Sequence, residues 1–120
     1  MRKSVRIKLD ARTLKRINDL LPLLAKDPQF TMYGLPNQSI LIKAAFLRAY
    51  KKGLDPQKYK LSSECYTTSI TCPADFYALV QEDQEDSGLD AAHYFSGLVG
   101  LGMRQLMKDY KHQIKNKNCL

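Results

Sequence analysis

The chain opens on a strict alternation. In Ser4-Val5-Arg6-Ile7-Lys8-Leu9, Val5, Ile7 and Leu9 are apolar, and Ser4, Arg6 and Lys8 are polar or cationic. A period of two places these sets on opposite faces of a strand. Asp10 follows as a helix N-cap. From Ala11 to about Ala25 the period changes. Leu14, Ile17, Leu21 and Leu24 recur at spacings of three and four, which predicts an amphipathic helix. Pro22 lies inside this pattern; it removes one backbone hydrogen bond and predicts a kink or an early end. Residues 27–36 read as a loop punctuated by Gly34 and Pro36, with Phe30, Met32 and Tyr33 apolar enough to fold back on the core. Asn37 caps a second predicted helix with a wide apolar face of Ile40, Leu41, Ala44, Ala45, Leu47 and Ala49. Lys51 and Lys52 suit its C-terminus, and Gly53 stops it. Residues 54–64 read as a polar linker.

The pattern then returns. Residues 66–72 (YTTSITC) are rich in β-formers and end at Pro73. Residues 74–86 predict a helix with Phe76, Tyr77, Leu79 and Val80 apolar, and Ser87-Gly88 ends it. Asp90 caps a further helix over about 91–110, with Tyr94, Phe95, Leu98, Val99, Leu101, Leu106 and Met107 available for burial. Residues 111–120 read as a basic, fraying tail. The order strand, helix, helix therefore occurs twice, in residues 1–53 and 65–110. An offset of 63 residues carries Val5, Ile7 and Leu9 onto Thr68, Ile70 and Cys72, and Ile17 onto Val80. An offset of 53 carries Asn37 onto Asp90, and Leu41, Ile42, Ala45 and Phe46 onto Tyr94, Phe95, Leu98 and Val99.

A lone strand with two short helices leaves open backbone hydrogen bonds and too little core. Two such units answer both problems. Their strands pair antiparallel, and four helices cover the apolar face of the ribbon. The expected class is mainly α, with a two-stranded antiparallel β-ribbon shared by two repeats in one folded unit.

Charge adds a partner. The net charge is +7. It is carried by residues 1–60, where 14 Lys and Arg against 4 Asp and Glu give +10; residues 61–120 carry 5 against 8, or −3. This favours a polyanionic partner, nucleic acid before an acidic membrane. The ribbon's outer face would hold Ser4, Arg6 and Lys8 beside Thr67, Ser69 and Thr71. A two-stranded ribbon fits the major groove, where Arg and Lys donate to guanine edges and Ser and Thr either donate or accept.

This arrangement resembles the ribbon-helix-helix family of Arc and the methionine repressor. Because both copies lie in one chain, it is similar to the tandem accessory proteins of F-type plasmid conjugation. The resemblance covers about residues 4–53 and 66–110. It implies that Ser4, Arg6, Lys8, Thr67, Ser69 and Thr71 read bases. It also implies a phosphate at the N-terminus of each second helix, at Asn37, Gln38 and Ser39, and at Asp90, Ala91 and Ala92. Asp90 departs from that expectation, since its carboxylate competes with a phosphate. Arg2 and Lys3, beside the first strand, are further expected phosphate contacts. The implied function is sequence-specific DNA binding in transcriptional regulation, as by a repressor. A conjugation or other DNA-processing accessory role is the nearest alternative, and an antitoxin-like protein-interaction module is the alternative of another class.

Other signals change the picture less. Gly97, Gly100 and Gly102 inside the last helix predict either close approach of the two second helices or a break in the helix. Cys65 and Cys72 with His93 or His112 match no compact zinc spacing, and no base accompanies a nucleophilic cysteine. Neither catalysis nor a metal or other cofactor is expected, nor a small-molecule substrate. Glu82, Asp83, Glu85, Asp86 and Asp90 form an acidic run that either faces solvent or meets a basic surface of another chain on an adjacent site. Lys108, Lys111, Lys115 and Lys117 either touch phosphate or solvate the tail. Three cysteines without a CxxC pair fit a reducing compartment. No run approaches the ~18 apolar residues of a membrane span, and Met1-Arg2-Lys3 leads into a strand rather than a signal-peptide core. A soluble, cytoplasmic, nucleoid-associated protein is expected.

Overall fold

The computed structural model describes residues 2–27, 37–61 and 65–118, with side chains as far as residue 112. Strand β1 (Arg2–Asp10) leads directly into α1 (Ala11–Ala25). Helix α2 (Gln38–Lys52) precedes a short 3-10 turn (Pro56–Lys58). Strand β2 (Cys65–Pro73) then leads into α3 (Ala74–Ser87) and the long α4 (Ala91–Asn118). Among the described residues the fold is mainly helical, with four α-helices and a two-stranded antiparallel sheet. The loop expected over 27–36 lies almost wholly outside the described residues.

Strand β1 pairs with β2 over its full length, from Arg2 opposite Pro73 to Asp10 opposite Cys65. Residues directly opposite one another share a face. Val5 with Ile70, Ile7 with Thr68 and Leu9 with Tyr66 therefore share the helix-covered face. Val5, Ile7, Leu9 and Ile70 are buried, Thr68 is half-buried, and Tyr66 is exposed. The β2 half of this face is the less apolar one, as its sequence requires.

The core continues through Ile17, Leu20 and Leu24 of α1, Val80 of α3, and the inner faces of α2 and α4. Phe46 and Phe95 stack at 4.9 Å between ring centroids, joining α2 to α4 at the centre. Burial is narrower than the sequence pattern: Ile40, Leu47 and Leu79 are exposed, because no described element covers those edges of α2 and α3. Pro22 does not break α1. Its missing N–H costs the one bond to the Asn18 carbonyl, and only three helical residues follow it.

Helix α4 is unbroken from Ala91 to Asn118, past the end expected at residue 110. Residues 111–118 contain neither Gly nor Pro, so nothing local stops propagation. Of the two readings of its glycines, close approach holds, but only Gly102 serves the helix pair. A Cβ there would overlap the backbone carbonyl of Ala45 in α2. Gly97 and Gly100 instead admit residues 56–59: a Cβ on Gly97 would stand 2.9 Å from the Pro56 carbonyl oxygen, and one on Gly100 would overlap the Tyr59 ring.

Candidate nucleic-acid interface

The face of the ribbon turned away from the helices is a row of opposed pairs: Ser4 with Thr71, Arg6 with Ser69, and Lys8 with Thr67. All six are exposed. Arg2, opposite Pro73, shares the parity of this row and extends it by one position; Lys3, opposite Cys72, has the parity of the helix-covered face but is exposed near the strand end. The outer surface is unequal across its width, with cations on β1 and hydroxyls on β2.

The row is held from beneath by contacts that sequence reasoning only partly anticipated. The Lys8 backbone N–H donates to the buried Ser96 Oγ of α4 at 2.8 Å. At the end of β1, Asp10 is fully buried and caps α1, accepting from the Thr13 N–H at 2.9 Å. The Tyr59 hydroxyl donates to Asp10 Oδ2 at 2.7 Å and lies 2.8 Å from Thr13 Oγ1. Arg12 approaches the same carboxylate at 3.3 Å and donates to the Lys60 carbonyl at 2.7 Å. Burial by itself pushes the Asp10 carboxyl up, but hydrogen bonds from Thr13, Tyr59 and Arg12 together hold it below the usual aspartate range. Tyr59 is pushed the other way, first by burial and also by the adjacent carboxylate. Tyr59 thus fastens the middle of the linker to the junction of ribbon and helix. Two sequence signals border this contact, the cap at Asp10 and the small residues Gly97 and Gly100 in α4, and neither names Tyr59.

The two second-helix termini differ. At α2 the Asn37 side chain accepts from the Ile40 N–H at 2.9 Å, with Asn37 and Ser39 exposed and Gln38 half-buried. A neutral cap leaves this terminus without a negative charge to repel an anion. At α4 the Asp90 carboxylate accepts from the His93 N–H at 2.7 Å and contacts the His93 ring Nδ1 at 2.8 Å. Those bonds hold Asp90 below the ordinary aspartate range, with the nearby Lys8 charge a smaller contribution. A fixed anion therefore already occupies the place where Ala91 and Ala92 would meet a phosphate.

Elsewhere Tyr50 donates to Asp83 Oδ2 at 2.6 Å, so one member of the acidic run is engaged within the chain while Glu82, Glu85 and Asp86 are exposed. Cys65 is exposed, and Cys72 is half-buried with its thiol pushed up by burial. Among the described residues no group of His, Cys, Asp and Glu is placed to hold a metal ion, and no helix is long and apolar enough to cross a membrane. No family model, curated protein or solved structure matches this chain.

Proposed function

We propose that the chain binds double-stranded DNA sequence-specifically, as a single-chain ribbon-helix-helix unit that lays its ribbon in the major groove. The observation that carries this reading is the exposed row Ser4/Thr71, Arg6/Ser69 and Lys8/Thr67, six donor-bearing side chains on one face of a two-stranded ribbon. The rigid backing of that row by Ser96 and by the Asp10–Tyr59 contact favours readout over loose charge attraction.

Internal symmetry supports the two-repeat arrangement. Under the offset of 63, Arg6 corresponds to Ser69, and these two residues are partners in the sheet. A two-fold axis relating the repeats would pass through that pair. Ile17 and its counterpart Val80 are both fully buried, as are Ala45 and Leu98 at the offset of 53. The symmetry is one of backbone and core; the outer face departs from it. Arg6 and Lys8 carry most of the direct readout, the hydroxyls of β2 tune it, and the α2 terminus is the phosphate anchor. Such a surface suits a non-palindromic site. Transcriptional regulation is the cellular role we assign.

The test is a fluorescence-anisotropy titration with mixed duplex DNA at two salt concentrations. Binding that weakens steeply with salt is expected. Absence of binding at low salt would remove the reading.

A further inference from the structure

A second cationic feature lies outside the ribbon. Between α1 and α4 runs a cleft of about 390 Å³ lined by Arg12, Lys15, Arg16 and Asp19 on one side and Arg104, Met107, Lys108 and Lys111 on the other. Six cations face one carboxylate, and Asp19 is already 3.9 Å from Lys15. Arg12 is engaged with Asp10 and Lys60. Among the described residues, Arg16, Arg104, Lys108 and Lys111 make no ion pair. Arg16 Nη1 is cut off from solvent and has no hydrogen-bond partner there. A guanidinium nitrogen removed from water without an acceptor is costly, and like charges gathered in one cleft repel. One anionic occupant relieves the repulsion, while the sealed Arg16 nitrogen, out of reach of water, is out of reach of the anion as well.

We propose that this cleft binds a short chain of phosphates, either free or carried by a nucleoside. The cations of α1, Arg12 to Arg16, span about 6 Å and those of α4, Arg104 to Lys111, about 10 Å along their helices, which suits an extended multivalent anion better than a single ion. Arg presents a fork of donors that matches phosphate oxygens. An acidic helix of another copy, at about 10–12 Å across, presents its carboxylates singly rather than as one extended anion. The α4 wall runs away from the ribbon: Lys108 stands about 18 Å along the helix from Ser96, which touches β1, whereas Arg12 on the α1 wall is two residues past the strand. The inference does not rest on the DNA reading, and the ribbon variant separates the two sites.

Isothermal titration of the full chain with inorganic tripolyphosphate, and in parallel with ATP, tests it. Saturable binding of one anion per chain is expected, weakened at least about tenfold by Arg16→Gln and by the double variant Lys108→Gln/Lys111→Gln. Arg6→Ala/Lys8→Ala should leave it unchanged. Tighter binding of ATP identifies the nucleoside-borne source; equal binding identifies the free chain. Circular dichroism of each variant controls for folding, and the exposed Lys108 and Lys111 positions allow the test if Arg16→Gln does not fold. Three results would overturn the proposal: no saturable binding, equal loss in the ribbon variant, or cleft variants that change only self-association in sedimentation. Duplex binding measured on the same variants keeps the two claims apart, since its absence beside intact tripolyphosphate binding counts against the DNA reading alone.

Discussion

Asp10 concentrates several demands in one side chain. It ends a strand, caps a helix and is buried, and a buried carboxylate persists only where donors surround it. Thr13, Tyr59 and Arg12 are those donors. Tyr59→Phe removes the linker's donor while keeping its ring, and should lower the unfolding free energy by about 1–3 kcal/mol in urea titrations. The pH dependence follows from the direction of the shift. The folded carboxyl ionises below its ordinary value of 3.8, so the unfolded chain binds the proton more readily. The stabilisation is therefore complete above about that pH and is lost as pH falls through the lower, folded value. Acid unfolding of Asp10→Asn should show a shallower fall below pH 4 than the parent; an unchanged profile would place the acid-sensitive group elsewhere. Tyr50 offers a second reading at this scale. Its hydrogen bond to Asp83 and its partial burial push its phenol up to about 12. In a spectrophotometric titration one tyrosine should ionise near that value, and Asp83→Asn should bring it down.

At the scale of elements, the decisive contact is backbone against backbone. Gly102 lets α4 lie on the Ala45 carbonyl of α2. The obstacle to a methyl group is a main-chain oxygen, which cannot rotate aside. Gly102→Ala gains up to about 1 kcal/mol of helix propensity but must separate the helices, and should destabilise by about 1–3 kcal/mol or more. Thermal unfolding checks this; a rise in midpoint would contradict the packing. Strand β1 and its outward row follow from period-two alternation, which gives Val5, Ile7 and Leu9 a common face; β2 follows from the β-formers of residues 66–72 before Pro73, and the pairing from the open edge a lone strand would leave. The starts of α1, α2 and α4 follow from Asp10, Asn37 and Asp90, since caps act locally. What eluded the pattern was decided at long range. Tyr59 sits between Lys58 and Lys60 in a stretch that reads as solvent-facing, and its burial depends on α1 and α4 leaving room for it. Ile40, Leu47 and Leu79 fit a helical apolar face yet are exposed, because the width of a buried stripe is set by its neighbours. The α1–α4 cleft was equally hidden: Arg16 and Lys108 lie 92 residues apart and read separately as ordinary surface charges.

For the whole molecule, the proposed two-repeat arrangement joins two unlike halves. Under that proposal Arg6 is the counterpart of its sheet partner Ser69, and Ile17 and Val80, like Ala45 and Leu98, are matching buried positions. The surfaces do not correspond. The first strand offers cations and the second hydroxyls; one second helix has a neutral cap and the other an acidic one. Removing one binding half should therefore have unequal effects, with the β1 row dominant. The direct test is selection of random duplexes by the full chain, followed by anisotropy with the enriched duplex and an unrelated one. A non-palindromic enriched site is expected. Arg6→Ala/Lys8→Ala should abolish the preference, at about 1–3 kcal/mol for each base-reading side chain, while circular dichroism stays unchanged. Thr67→Ala/Ser69→Ala should weaken the preference less. Failure to enrich any site, or a preference undisturbed in the folded Arg6→Ala/Lys8→Ala variant, would contradict readout by the ribbon.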